Sequence, residues 1–493
     1  MKVLVITFFI LASYSCSQGQ KDLITQGPEQ EKEGLTEEPD YLDEFISFWD
    51  LAINEKFLDS PEAIYRNQTK LNQSFCYLKD NQVLGNMPDQ PVSLASVSKV
   101  YTTLWALDLL GPNHRYQTTI YLDRQRGIAH IESPLSDPVF GSAKMFWLIS
   151  ILNDYNVYKL KRISFHENFV FFPETLLNHR YLSNFVDSHG VRHIKFYTPT
   201  IRETINRMNW YMNTENWNES IRNDFRAKIT NHLFINTQLR FELEEPAFQQ
   251  NQNPFVRNGR IIPGISIIKL SSSPLHKITK FVNTHSTNAA TDLMFYSMGD
   301  IARFKRYLKM KFGEEFQAKT SFVSGSGLPY SRFYPNGDSV RELNKSTCAN
   351  TLKVFKALNE IQKKHDPQKQ VPFDFLPLAG PAPLNHAATP YYFVGKTGSL
   401  NDTSAIAGIL STQQSLTPIA LLNSNVNTDV IYNGQITSPA RLFRMIQRKM
   451  MEKMVSLFGG GNRIEYRTED WINDDEFTAH DPRADFDYVS PLN

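Results

Sequence analysis

The sequence predicts a mixed α/β (α+β) fold, in which helices flank neighbouring antiparallel strands and a long region is inserted between the two halves. Three observations predict it. First, Val97, Val100, Tyr101, Leu104, Trp105 and Leu107 recur at three- and four-residue steps, the pattern of an amphipathic helix, and Gly111-Pro112 stops it. Second, Tyr391–Gly395 and Ala405–Leu410 read as strands joined by a turn at Ser399-Leu400-Asn401-Asp402, with Ile419–Leu422 as a third and Ala440–Val455 as a closing helix. Third, residues 126–264 differ in character from both flanks. Apolar runs such as Phe146–Leu152 give way to a polar helical stretch, Thr198–Ile235, and then to an Asn/Gln-rich loop, Gln249–Asn258.

The elements follow in order. Met1-Lys2, the apolar run Val3–Ala12 and the small residues before Cys16 make a secretory leader, too short to span a membrane as a helix. Residues 17–40 are polar and read as a tether. Globular structure begins with a helix over Tyr41–Phe57, and short strands and turns fill 73–95. Thr118–Leu122 and Ile265–Leu270 read as strands. Pro274–Met298 is helical with a break at 284–288, and 340–364 is a further helix. Beyond Gly459-Gly460-Gly461 an acidic tail runs to residue 493. The domains expected are therefore a two-part domain, 41–125 with 265–458, and an inserted region, 126–264.

Composition narrows the function. The chain has 493 residues, 41% of them hydrophobic and 21% charged, enough for a sizeable core in two or three domains. A net charge of +1 gives no electrostatic case for nucleic acid or an acidic membrane surface. No Cys/His cluster has zinc-ligand spacing, so neither metal nor cofactor is expected. Cys76 and Cys348 can form one bridge or remain two thiols.

Three short motifs carry the chemistry: Ser96-x-x-Lys99 at the start of the first helix, Ser286-Thr287-Asn288, and Lys396-Thr397-Gly398. Each has a plain structural reading, as a helix cap, a polar loop and a turn after a strand. A hydroxyl one turn from an amine at a helix N-terminus is also an activated nucleophile in outline. Their order and local structure match the motifs of β-lactamases and penicillin-binding proteins, with Thr287 where Asp is usual.

Further segments extend the match. Leu107-Asp108-Leu109-Leu110-Gly111 with Tyr116-Gln117-Thr118-Thr119, Ser272-Ser273-Pro274-Leu275, Gly325-Ser326-Gly327-Leu328, Leu376-Pro377-Leu378-Ala379-Gly380 and Lys396-Thr397-Gly398-Ser399-Leu400 resemble the serine D-alanyl-D-alanine carboxypeptidase/endopeptidase family, the class C low-molecular-mass penicillin-binding proteins. The resemblance runs from about residue 75 to 450, and the long gap between the first two motifs is typical of that family rather than of β-lactamases. The chain departs from it at Ile131–Pro138, where a Gly-rich run is usual, at Ser324, and at Pro329.

The resemblance implies a penicillin-binding transpeptidase/β-lactamase-like domain with a central antiparallel sheet. It also implies a site. Ser96 would attack the carbonyl of the penultimate D-alanine, with Lys99 as base, its amine kept neutral by burial and by Lys396. Ser286 would pass a proton to the leaving amine, and Asn288 would hold Lys99 and the substrate amide. Lys396 and Thr397 would meet the terminal carboxylate. Gly398 would let the substrate backbone lie along the strand, and the Ser96 and Ser399 N–H groups would hold the oxyanion. The expected partners are peptidoglycan stem peptides and, as covalent inhibitors, β-lactams. The Cys after Ser15 resembles a bacterial lipoprotein box, which implies a periplasmic chain, with the outer membrane favoured, attached through lipidated Cys16; Ser13 stands where that box has Leu, and an ordinary secretory leader fits as well. A β-lactamase-like hydrolase and a non-catalytic peptidoglycan-binding lipoprotein are the alternatives.

Overall fold

The computed structural model describes residues 71–171, 182–196, 201–223, 239–379, 391–425, 430–432, 435–437 and 439–465. The expected leader with Cys16, the tether and the first helix lie outside the described residues, as do 224–235 of the polar stretch and the tail from 466. In chain order the elements that position the site are β1 (Leu71–Lys79), β2 (Gln82–Asn86), a 3-10 turn (Ala95–Val97), α1 (Ser98–Leu110), β3 (Gln117–Asp123), β4 (Ile128–Glu132), α2 (Ser142–Asp154), β5 (Arg162–Phe165), β6 (Leu182–Val186), β7 (Arg192–Phe196), α3 (Ile201–Tyr211), β8 (Phe248–Gln249), β9 (Ser266–Ser271), α4 (Leu275–Thr284), α5 (Asn288–Met298), α6 (Ile301–Phe312), β10 (Tyr330–Phe333), β11 (Ser339–Glu342), α7 (Cys348–His365), β12 (Phe393–Leu400), β13 (Thr403–Ser411), β14 (Leu416–Asn425) and α8 (Pro439–Leu457).

The main sheet has the order β12-β13-β14-β1-β2, and every neighbouring pair is antiparallel. All nine residues of β13 are buried, so both faces of the sheet are covered. On one face Ala405, Ala407 and Ile409 join a core with Leu352, Phe355 and Leu358 of α7 and with the apolar side chains of α1. On the other face α8 packs on β13 and β14. There the buried Gln447 amide reaches the Ser404 carbonyl at 2.9 Å, the Leu421 carbonyl at 3.1 Å and Asn423 Oδ1 at 2.8 Å, tying two adjacent strands to one helix. The strand β12 is the edge of this sheet; at its start Phe393 and Gly395 bond to Ala379 and Pro377, and no strand pairs with its outer side beyond them among the described residues.

α1 differs from its expected amphipathic form: it is buried all round from Ser98 to Leu107. Several of its polar positions have internal partners, although the buried Ser98 hydroxyl has none. Thr102 donates to the Gly325 carbonyl at 2.8 Å, and Thr103 Oγ1 accepts from the Asn283 amide at 2.8 Å. Trp105, Tyr101 and Leu104 fill the apolar sides, with Trp105 edge-on to Phe295 and close to Phe304. Gly111, at φ +83°, ends the helix as expected. The helix expected over 340–364 begins later, at Cys348. Thr347 caps it, its side chain accepting from the Asn350 N–H, while Ser339–Glu342 forms a strand against β10.

The two remaining cysteines are joined. Cys76 in β1 and Cys348 at the start of α7 form a disulfide with an S–S distance of 2.08 Å, both fully buried. The bridge pins the helix to the sheet across 272 residues of sequence.

A second five-stranded sheet, β8-β5-β4-β3-β9, carries its own core with Ile120, Leu122, Phe146, Phe165, Trp217 and Leu270. The expected insertion boundaries at 126 and 264 fall between strands of this sheet. A third sheet, β11-β10-β7-β6, pairs the hairpin 182–196 with the hairpin that follows Gly325-Ser326-Gly327-Leu328. Among the described residues no helix is long and apolar enough to cross a membrane.

Candidate active site

Ser96 lies in the 3-10 turn that runs directly into α1. The turn is held under strain: Ala95 has φ +44°, in the left-handed region that a residue with a Cβ seldom occupies. Two glycines press against it. A Cβ on Gly327, itself at φ +92°, would lie 1.8 Å from the Ala95 carbonyl oxygen. A Cβ on Gly398 would lie 2.6 Å from the Leu94 oxygen and 2.7 Å from the Ser96 nitrogen. The close approach that Gly398 permits within the chain is therefore between β12 and the turn carrying Ser96.

Lys99 is fully buried one turn into α1. Its Nζ lies 2.9 Å from Ser96 Oγ, 2.7 Å from Asn288 Oδ1 and 2.8 Å from the Ser326 carbonyl oxygen. The last two can only accept hydrogen bonds. A neutral amine thus donates its two protons to Asn288 and Ser326 and turns its lone pair to the Ser96 hydroxyl. Burial holds the Lys99 pKa well below its ordinary value; the charge of Lys396 lowers it further, and Asp292 opposes both. Burial likewise brings Lys396 down to about 7. Lys396 is 3% exposed, and its Nζ donates to the Thr397 carbonyl at 3.0 Å.

Ser286 and Asn288 flank the break between α4 and α5. Ser286 has φ +52°, a second strained residue without glycine's freedom, and Asn288 opens α5. Among the described residues no hydrogen bond joins the Ser286 hydroxyl to Ser96 or Lys396, so the structure brings Ser96, Lys99 and Asn288 into direct contact and leaves Ser286 beside them, two residues from Asn288. On β12 the faces alternate. Lys396 and Gly398 face the Ser96 side. Thr397 and Ser399 line a cleft with Ser404 and with Arg444, Gln447 and Arg448 of α8, on the face of the sheet away from Ser96. Of the expected carboxylate-binding residues, Thr397 borders this cleft and Lys396 stays on the Ser96 side.

Two participants were not assigned roles from sequence. The Ser326 carbonyl is one; it lies in a motif quoted only for its resemblance. Asp292 is the other. It is fully buried on α5, four residues after Asn288 and so on the same helical face, a spacing that was available in the sequence. Its Oδ1 accepts from the Ser326 N–H at 2.9 Å, and burial raises its pKa to about 6 against the pull of Ser326 and Lys99.

No family model matches the chain, and no curated protein matches it by sequence. Its structure is similar to solved ones. Bd3459, a predatory peptidoglycan endopeptidase from Bdellovibrio bacteriovorus, is 22% identical over 80% of this chain and 96% of its own, with a TM-score of 0.65. The penicillin G-acylated form of Bd3459, in complex with the immunity protein Bd3460, is 21% identical over 80% and 95%, with a TM-score of 0.60. Penicillin binding protein 4 from Haemophilus influenzae is 14% identical over 83% of this chain and 99% of its own, with a TM-score of 0.50. The antiparallel sheet, its flanking helices and these likenesses together establish that the chain has the penicillin-binding-protein fold.

Proposed function

We propose that this chain is a serine-type D-alanyl-D-alanine peptidase that acts on peptidoglycan stem peptides, as a carboxypeptidase and on cross-links as an endopeptidase, through an acyl-enzyme on Ser96. The observation that carries the reading is the contact set of Lys99: one buried amine touches the hydroxyl, Asn288 and the Ser326 carbonyl. That arrangement suits a base which takes the Ser96 proton as Oγ bonds to the carbonyl carbon and the carbonyl electron pair moves onto oxygen. The Ser96 and Ser399 N–H groups receive that oxygen in this reading. Collapse breaks the C–N bond, Ser286 gives its proton to the departing amine, and the proton on Lys99 replaces it. Water then repeats the sequence in reverse, and Ser96 is released.

Lys396, on the Ser96 face of β12, and the neighbouring Thr397 at the strand edge suit the carboxylate of the leaving D-amino acid. The penicillin G-acylated neighbour supports a β-lactam as a covalent probe. The buried disulfide supports an oxidising compartment, in line with an exported, periplasmic chain held by lipid on Cys16.

The test has two arms. Labelled penicillin is expected to acylate the purified chain and to fail with Ser96→Ala. Monomeric and cross-linked muropeptides, with products read by mass, separate D-alanine release from cross-link cleavage. Labelling of the Ser96→Ala variant overturns the site, and binding of muropeptides with neither product overturns the enzyme.

A further inference from the structure

Asp292 is a buried ionisable group that the proposed chemistry does not use. Its Oδ1 accepts from the N–H of Ser326, and the carbonyl of the same residue accepts from Lys99 Nζ at 2.8 Å. One residue therefore connects the carboxylate to the amine by two hydrogen bonds. Hydrogen bonds from the Ser326 hydroxyl and the Gly325 N–H also favour the ionised carboxylate. Its Oδ2 is buried with no close hydrogen-bond partner, so keeping a charge there is costly.

We propose that Asp292 is a positioning residue that acts through Lys99: it fixes the Ser326 carbonyl against the amine and supplies the buried negative charge that stabilises the lysinium formed when Ser96 loses its proton. The proposal rests on the assignment of Lys99 as base. The surroundings leave this role to Asp292. The charged groups around it are Lys99 on α1, Lys396 on β12, which repels a lysinium at Lys99, and Tyr296 on its own helix. On α4, Lys280 turns away to the Phe373 carbonyl, and the His285 ring, just past the helix, lies tilted against Phe281. The Ser326 loop offers only backbone and a hydroxyl. Asp292 is thus the one acidic group among these that opposes Lys396.

The sign of the effect follows. A carboxylate favours the protonated lysine, so its removal lowers the Lys99 pKa. Asp292→Asn keeps an oxygen that can accept from Ser326 and removes the charge. In this variant the acid limb of the pH profile for penicillin acylation is expected to move to lower pH by about one unit, the scale of losing a nearby opposite charge. The plateau is expected to fall by about tenfold, because a weaker base assists less. A plateau that falls with the limb unmoved means a purely structural residue and overturns the proposal.

A second measurement holds if the variant does not fold. Coupling is reciprocal. In Lys99→Met, Asp292, whose pKa burial raises to about 6, is expected to titrate higher than in the wild-type chain when both are followed by ¹³C-aspartate NMR; an unchanged midpoint overturns the proposal. Absence of acylation in the wild-type chain is a separate result, which overturns the proposed function and leaves the Asp292–Lys99 coupling to be decided by the NMR comparison.

Discussion

Gly398 and Ser96 meet backbone to backbone: a single Cβ at position 398 would stand 2.7 Å from the Ser96 nitrogen and 2.9 Å from that of Val97. The edge strand and the nucleophile turn are thereby one rigid unit. Gly398→Ala is expected to push the turn away and to slow acylation by about 100-fold, the scale of a 1 Å misplacement of a reacting group. The comparison of labelled-penicillin rates with thermal melting checks this. A variant that acylates at the wild-type rate shows that the contact does not position Ser96.

Ser286 combines a strained backbone with a hydroxyl, and two variants separate them. Ser286→Ala keeps the left-handed φ and removes the oxygen, whereas Ser286→Gly removes both. Each is expected to slow acylation by about 10²-fold or more, the scale of losing a positioned proton donor. The Gly variant is expected to be the more stable of the two by ~1 kcal/mol, the cost of a left-handed residue with a Cβ. Equal denaturation midpoints for the two remove the strain from the account.

Lys396 couples stability to pH. Burial brings its pKa down to about 7 in the folded chain, against an ordinary value of 10.5. Between those values the unfolded chain binds one more proton than the folded chain, so the free energy of unfolding rises with pH across that window. Lys99, lowered in the same direction, adds to the slope. Urea denaturation of the wild type and of Lys396→Met between pH 7 and 10 is expected to show a flatter dependence in the variant. Parallel curves would mean that the lysine is solvated.

Much of the site was legible because its residues sit at fixed offsets on local elements. Ser96 and Lys99 share one helical turn, Ser286 and Asn288 share one break, and Lys396–Ser399 share one strand. What was not legible depends on approach in space. The Ser326 carbonyl reaches Lys99 from 227 positions away, and a main-chain oxygen leaves no mark in residue type. The atoms that Gly398 makes room for belong to a turn some three hundred residues earlier, which its own motif does not mark. The helix over 348–365 was expected to start too early because a strand with charged and β-branched residues, Ser339–Glu342, precedes its Thr347 cap. The joining of Cys76 to Cys348, with 272 positions between them, was likewise open until β1 and α7 were seen to pack.

The pairing of β3 with β9 has a consequence for how such a chain can change. Gln117 lies opposite Ser271, and beyond that pair Tyr116 and Ser272 are still bonded, main chain to main chain at 2.8 Å. The polypeptide leaves the catalytic half and returns to it through one narrow gate. Much of what lies between hangs on that base; the hairpin 182–196 is the exception, since it pairs with β10 of the returning half. Away from that hairpin such a segment can be lengthened or pruned with little effect on the closure of the rest, because loop closure is already met at its base. A change there leaves the contacts of Lys99 with Ser96, Asn288 and Ser326 in place.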